Sequence, residues 1–299
     1  MTETPPPVDT PVTIRVDGTP VSVAAGGTLL DACRSAGIDT PTICYADTLT
    51  PVNACRACVV EVEGNRTLVP ACSRPAEDGM IVHTDSERVR HSRRMVLEFL
   101  AGSVDLSQAA ELAGWITAYG ADPARYGAAA ARVDDEPKVQ DRLFVRAYEQ
   151  CVLCYKCVEA CGDDAQRTYA IAVAGRGFEA RISTEFDVTL PESACVYCGN
   201  CIAVCPTNAL QFTTEFERRA EGTWRPDEQT VTTTVCSYCG VGCNLELHVQ
   251  DNEIVKVTSP DDHDVTEGNL CIKCRFGWRY VCALRGSDPR RAHLANASR

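Results

Sequence analysis

Nineteen cysteines in 299 residues, and above all their spacing, constrain what this chain can fold into. A secreted disulfide scaffold does not fit. The number is odd, and the opening MTETPPPVDT lacks the charged n-region and apolar h-region of a secretory signal. That predicts a cytoplasmic setting in which thiols stay reduced. The spacings are those of metal ligands. CVLCYKCVEAC (Cys151, Cys154, Cys157, Cys161) and CVYCGNCIAVC (Cys195, Cys198, Cys201, Cys205) form an internal repeat. Each reads C-x2-C-x2-C-x3-C, the run that holds [4Fe–4S] clusters. Three thiolates on one tight loop reach three irons, and the fourth starts a helix aimed at the other cluster. This predicts Cys151, Cys154, Cys157 and Cys205 on one cubane, and Cys195, Cys198, Cys201 and Cys161 on the second. Zinc takes four ligands per site, and two triplets each with a distant fourth cysteine suit cubanes better. Gly162 stands where the second motif has Pro206, which does not affect ligation.

Two further sets complete the inventory. Cys44, Cys55, Cys58 and Cys72 are spaced C-x10-C-x2-C-x13-C, wider at the start than the plant-type [2Fe–2S] pattern. They follow a hairpin and a helix, which suits a [2Fe–2S] cluster in a ferredoxin-like fold better than a zinc ribbon. Cys236, Cys239, Cys243 and Cys271 are spaced C-x2-C-x3-C-x27-C and predict a third [4Fe–4S] cluster. Gly240 and Gly242 let the backbone turn closely and aim N–H groups at its sulfurs. Cys33, Cys274 and Cys282 remain. Cys33 and Cys282 read as small packed side chains. Cys274, three positions after Cys271, is close enough to serve as a ligand as well.

The rest of the chain supplies scaffolding. Residues 1–10 are a Pro- and Thr-rich tail. Val12 to Val16 and Val21 to Val23 flank Asp17-Gly18, a hairpin signal. Thr28 with Asp31 reads as a helix N-cap, and Gly37 as that helix's end. A helix is expected from Ser86 to about Leu100, then an Ala-rich helical spacer without cysteine. Residues 216–230 read as a polar linker. A strand at Val231 to Val235 and a hairpin around Asp251-Asn252 follow. A net charge of −12 argues against nucleic acid and anionic membrane surfaces as partners. No apolar run approaches the roughly 18 residues of a membrane span. With no G-x-G-x-x-G or P-loop, NAD and ATP binding are not expected of this chain.

These segments resemble a known family. TPTICY, NACRACVVEVEG, LVPACS and GMIVHTDSERVRHSRRMVLEFL are similar to the [2Fe–2S] domain shared by the large iron–sulfur subunit of respiratory complex I, iron-only hydrogenases and NAD-linked formate dehydrogenases. Tyr148 to Leu210 resembles their double-cluster ferredoxin domain. VCSYCGVGC with GNLCIKCRFGW resembles the start of the molybdenum or tungsten bis-pterin formate dehydrogenase α-subunit. The resemblance covers about residues 12–282, and its module order favours formate dehydrogenase over hydrogenase or complex I. It implies that Cys271 is the fourth ligand of the last cluster, with Lys273 between cluster and pterin. Cys274 stands where the family has glycine. Residues 73–150 hold no cysteine, so the family's cluster with one histidine and three cysteines is expected to be absent, although His91 falls on the matching helix. Residues 283–299 no longer resemble the family. The Mo/W bis-pterin guanine dinucleotide and its catalytic ligands would lie in a missing or separate catalytic domain.

The expected fold is therefore α+β. A β-grasp [2Fe–2S] ferredoxin domain (11–85) leads to a helical spacer (86–140), a double-[4Fe–4S] ferredoxin domain (141–215), a linker (216–230) and a small β-rich [4Fe–4S] domain (231–299). The expected function is electron relay between a Mo/W site outside this chain and a flavin- and NAD-binding iron–sulfur subunit. The alternatives are a non-catalytic assembly module and the electron-input subunit of another oxidoreductase such as a hydrogenase.

Overall fold

Type I′ turns, which require positive φ at both central residues, set two of the hairpins in this computed structural model, which describes residues 10–280. The described chain forms two compact units. One comprises residues 10–46, 50–134 and 150–155; the other comprises 47–49, 135–149 and 156–280.

In the first unit, β1 (Val12–Val16) and β2 (Thr19–Val23) pair antiparallel around Asp17 (φ 47°) and Gly18 (φ 83°). The Asp17 carboxylate accepts from the backbone N–H of Thr84 at 2.8 Å and from its hydroxyl at 2.5 Å, so the turn is tied to a distant strand end. α1 (Leu29–Ser35) opens with a capping box. The Thr28 hydroxyl accepts from the Asp31 N–H at 3.2 Å, and the Asp31 carboxylate accepts from the Thr28 N–H at 2.7 Å. The helix ends as expected, with Gly37 left-handed at φ 73°. β3 (Val59–Val62), β4 (Val69–Pro70) and β5 (Ile81–His83) complete a mixed sheet of order β2-β1-β5-β3-β4. β1 and β5 run parallel at its middle, the β-grasp order. The alternating inward residues Ile14, Val16, Val60 and Val82 bury against Leu29, Leu30, Ala32 and Cys33 of α1.

α2 (Glu87–Ser103) starts at Ser86, whose hydroxyl accepts from the Val89 N–H, and runs one turn further than expected. The spacer departs from expectation. After α2 only α3 (Ala110–Tyr119) and a single 3-10 turn (Gly127–Ala129) are helical up to residue 134. Gly120 ends α3 in the left-handed region, and Asp122-Pro123 follows. Nor is this stretch a separate body, because both helices belong to the first unit. Buried Arg93 on α2 donates to the Val59 carbonyl at 3.0 Å and the Tyr119 hydroxyl at 2.6 Å, joining α2, β3 and α3.

The second unit opens with β6 (Phe144–Arg146) and α4 (Lys156–Cys161). A small hairpin, β7 (Ala172–Ala174) with β8 (Arg181–Ser183), precedes α5 (Asn200–Ala203). β9 (Leu210–Phe212) pairs antiparallel with β6. α6 (Thr213–Ala220) and a 3-10 turn (Pro226–Glu228) occupy much of the expected linker. The polar residues there are not solvated spacers. Buried Glu215 is paired with Arg219 at 2.7 Å, and Gln250 accepts from the Arg225 N–H at 2.9 Å. β10 (Thr230–Val235), β11 (Asn244–Gln250) and β12 (Glu253–Thr258) form an antiparallel meander. Its second turn has Asp251 at φ 53° and Asn252 at φ 61°. α7 (Ile272–Phe276) starts at Cys271. Among the described residues no helix is long and apolar enough to cross a membrane. The tail expected over residues 1–10 (all but Thr10) and Cys282 lie outside the described residues.

Candidate metal centres

Cys161, at the end of α4, and Cys195, Cys198 and Cys201, on the loop entering α5, line one pocket in the second unit. The loop closes because Tyr197 (φ 57°) and Gly199 (φ 72°) turn left-handed. The remaining wall is mostly apolar, with Phe144, Ile171, Leu190, Val196 and Leu210. Two backbone donors reach sulfur: Tyr197 N–H to Cys195 at 3.4 Å and Ala170 N–H to Cys161 at 3.3 Å. The Thr168 hydroxyl lies 3.4 Å from the Cys161 sulfur. Burial pushes the Cys195, Cys198 and Cys201 thiols up; nearby Arg275 partly opposes this at Cys198 and Cys201. Four soft donors around one apolar pocket, with N–H groups aimed at sulfur, fit an iron–sulfur cluster. Among the described residues no three Cys, His, Asp or Glu side chains converge as ligands of a single metal ion would.

Cys44, Cys55, Cys58 and Cys72 meet in the first unit. The Cys55 N–H donates to the Cys44 sulfur at 3.4 Å, and the Ala57 N–H to the Cys55 sulfur at 3.4 Å. Positive φ at Asn53 (61°) and Arg56 (58°) folds the loop around the thiols. A hydrogen bond from Cys44 lowers the Cys55 pKa to about 6, and one from Cys72 lowers that of Cys58 to about 7. Cys44 and Cys72, the donors of those bonds, are raised. Sequence reasoning missed Asn53, whose carbonyl oxygen accepts from Ser73 at 2.6 Å and from the Cys72 thiol at 3.5 Å.

The C-terminal set is more open. Cys236 is buried, Cys243 half-buried, and Cys239 and Cys271 exposed. The Cys236 N–H donates to the Cys243 carbonyl at 2.8 Å, closing the loop. Cys274 is buried with Leu245, Val257 and Leu270. Its sulfur lies 3.2 Å from that of Cys236 and 3.7 Å from that of Cys271. Packing alone does not describe it, since its thiol faces two of the expected ligands. Lys273 is exposed on α7.

The remaining set is divided between the units. Cys151 and Cys154 belong to the first unit, Cys157 and Cys205 to the second. Cys154 is buried with Ile43, Leu112 and Trp115, and Cys157 is buried on α4. His91 is exposed and hydrogen-bonds to Arg94 at 3.1 Å.

Two buried arginines also escaped sequence reasoning. Arg146 lines the four-thiol pocket, and Arg275 packs behind its Cys198-Gly199 backbone. The only sequence hint for Arg275 is its place between apolar neighbours in CIKCRFGW.

The comparisons follow the same division. Residues 9–87 match the model of the 2Fe-2S iron-sulfur cluster binding domain. Residues 150–209 match the 4Fe-4S dicluster domain, and residues 229–282 the molybdopterin oxidoreductase Fe4S4 domain. The mitochondrial NADH-ubiquinone oxidoreductase 78 kDa subunit of Candida albicans (strain SC5314 / ATCC MYA-2876) is 31% identical over 291 residues, spanning 93% of this chain and 38% of that protein. The chain carries the iron–sulfur domains of the NADH-quinone oxidoreductase 78 kDa subunit family. The NADPH-Fe(3+) oxidoreductase subunit alpha of Geobacter sulfurreducens (strain DL-1 / KN400) is 34% identical over 277 residues, 90% of this chain and 31% of that protein. A solved NAD+-reducing [NiFe]-hydrogenase in the H2-reduced state aligns with TM-score 0.59 and 25% identity, covering 67% of this chain and 87% of the matched chain. The chain thus spans about a third of the length of these curated relatives.

Proposed function

We propose that the chain is the iron–sulfur electron-transfer arm of an NAD(P)-linked oxidoreductase. Cys44, Cys55, Cys58 and Cys72 hold one [2Fe–2S] cluster. Three [4Fe–4S] clusters are held by Cys151, Cys154, Cys157 and Cys205; by Cys161, Cys195, Cys198 and Cys201; and by Cys236, Cys239, Cys243 and Cys271. When bound, these clusters supply one-electron centres. The protein contributes thiolate geometry, N–H donors to sulfur and an apolar wall, which together set potentials. The observation that carries the reading is that Cys161 comes from one repeat and faces three cysteines of the other across a single pocket. That exchange of the fourth ligand is the signature of a double-cubane module.

The match of residues 229–282 to a molybdopterin oxidoreductase domain supports a Mo/W partner. We assign the chain to formate oxidation, with the bis-pterin metal site on a separate domain or subunit and Lys273 facing the pterin. A flavin subunit passes electrons to NAD. The hydrogenase likeness supports a second reading in which the electron donor is a hydrogenase subunit.

Anaerobic reconstitution, iron and sulfide analysis and EPR test the cluster assignment. The expected result is about fourteen irons per chain; protein loaded mainly with zinc, or with half that iron, overturns it. Formate-dependent dye reduction is expected only after a Mo/W partner is added. Hydrogen-dependent reduction by a co-purifying partner would favour the second reading.

A further inference from the structure

Arg146 and Arg275 are among the largest fully buried side chains of the protein, at 2% and 0% exposure. A buried guanidinium is normally paired with a carboxylate, because an uncompensated ion in a low-dielectric interior is strongly unfavourable. Neither has a carboxylate among its hydrogen-bond partners. Arg146 donates to the Gln140 side-chain oxygen, and its Nε and Nη1 have no partner. Arg275 donates from Nε to the Cys198 carbonyl at 2.9 Å, and from Nη2 to Asn200 Oδ1 at 3.0 Å and the Gly268 carbonyl at 3.3 Å. Its Nη1 has no partner. Two buried cations thus lack a matching anion beside the same four thiols.

We propose that Arg146 and Arg275 are the built-in counter-charges of the cluster held by Cys161, Cys195, Cys198 and Cys201, and that they raise its reduction potential. A cubane on four thiolates carries net negative charge, and one-electron reduction adds to it. A fixed cation therefore stabilises the reduced form more than the oxidised form. Arginine suits the role because its guanidinium stays charged when buried. Arg146 lines the pocket itself. Arg275 sits one layer behind it, and the groups acting on it are, in order, Cys198, Cys201 and Cys274, followed by Asp261. Room for it comes from Gly199, where any Cβ would collide with the Arg275 Cδ. Both are positioning residues, acting on the cluster through its field and its backbone cradle.

The inference rests on the cluster assignment above, and the test separates the two. The full chain is reconstituted anaerobically and titrated potentiometrically with EPR detection; the signal lost in Cys195→Ser identifies this cluster. Arg146→Met and Arg275→Met are expected to keep their iron but make reduction about tenfold harder or more, a downward shift of about 59 mV per tenfold for one electron. Arg275→Lys, which keeps the charge, is expected to stay closer to wild type. Should the Met variants fail to fold, Asn200→Asp carries the test. It keeps the acceptor 3.0 Å from Arg275 but neutralises the guanidinium, so a downward shift at full iron content is expected. Unshifted potentials in iron-replete variants overturn this inference alone, as does an equal shift in Arg275→Lys and Arg275→Met, which would mark a role in hydrogen bonding instead. Absence of the Cys195-dependent signal from wild type overturns the cluster assignment and this inference with it.

Discussion

The sulfur of Cys274 lies 3.2 Å from that of Cys236, while the Cys271 sulfur lies 3.7 Å from Cys274. Three thiols that are remote or only three apart in sequence therefore share one small region at the start of α7. Cys271, at the helix N-cap and exposed, can swing onto a cluster edge. Cys274 is held by the apolar core. We expect Cys271→Ser to lose one cubane EPR signal and Cys274→Ser to retain it. Burying a hydroxyl at Cys274 should still destabilise the protein by about 1–3 kcal/mol. Loss of the signal only in Cys274→Ser would reverse the ligand assignment.

His248 on β11 gives a pH prediction. Burial, then the nearby Lys256, lowers its pKa to about 4, with Glu246 and Glu215 opposing. Its Nε2 is 2.8 Å from the Thr258 hydroxyl, which donates to Glu246, so Nε2 carries the hydrogen. The folded pKa is below the unfolded value of 6.5. As pH falls from about 6.5 toward 4, the unfolded chain takes up a proton that the folded one does not, and stability drops. Between pH 7 and 5 the wild type should lose on the order of 1–2 kcal/mol more than His248→Gln. Urea midpoints of both proteins at the two pH values measure this.

Thr28→Ala removes both halves of the α1 capping box, since Thr28 accepts from Asp31 and positions it. The expected loss is about 1 kcal/mol, seen as a lower denaturation midpoint. Thr28→Ser should recover most of it.

Glu215, 4% exposed, is held by Arg219 at 2.7 Å, by Asn208 at 3.1 Å and by Lys256 at 3.8 Å. Arg219→Ala leaves the buried carboxylate under-compensated and should cost about 2 kcal/mol. Glu215→Leu in the Arg219→Ala background should recover part of that loss, and thermal denaturation of the three proteins distinguishes the outcomes.

What the sequence made legible is what local chemistry dictates. Asp17-Gly18 and Asp251-Asn252 announce turns because few other residue pairs tolerate two positive φ angles. Thr28 and Asp31 announce a cap for the same kind of local reason, and the cysteine spacings follow from the reach of a short loop around a small inorganic core. The less legible features depend on distant partners. Alanine content after Leu100 suggested a longer helical stretch, but Gly120 and Pro123 end it. Glu215 and Arg219 read as solvated linker charges, yet one side of α6 is buried. Arg146 and Arg275 look like ordinary surface cations until the tertiary fold encloses them.

The packing around Gly199 also bears on how such chains can be cut and recombined. Domain matches end at residue 209 and resume at 229, which invites treating the last segment as a detachable cassette. However, Arg275 fills the space behind Gly199, and Phe276 stacks on Phe144 with ring centroids 6.3 Å apart and meets Phe212 edge-on at 5.7 Å. A cut near residue 225 would leave two aromatic faces and the back of a cysteine loop open to water. Chimeras joining this double-cubane segment to a foreign successor will need that successor to bring its own arginine and phenylalanine in this register.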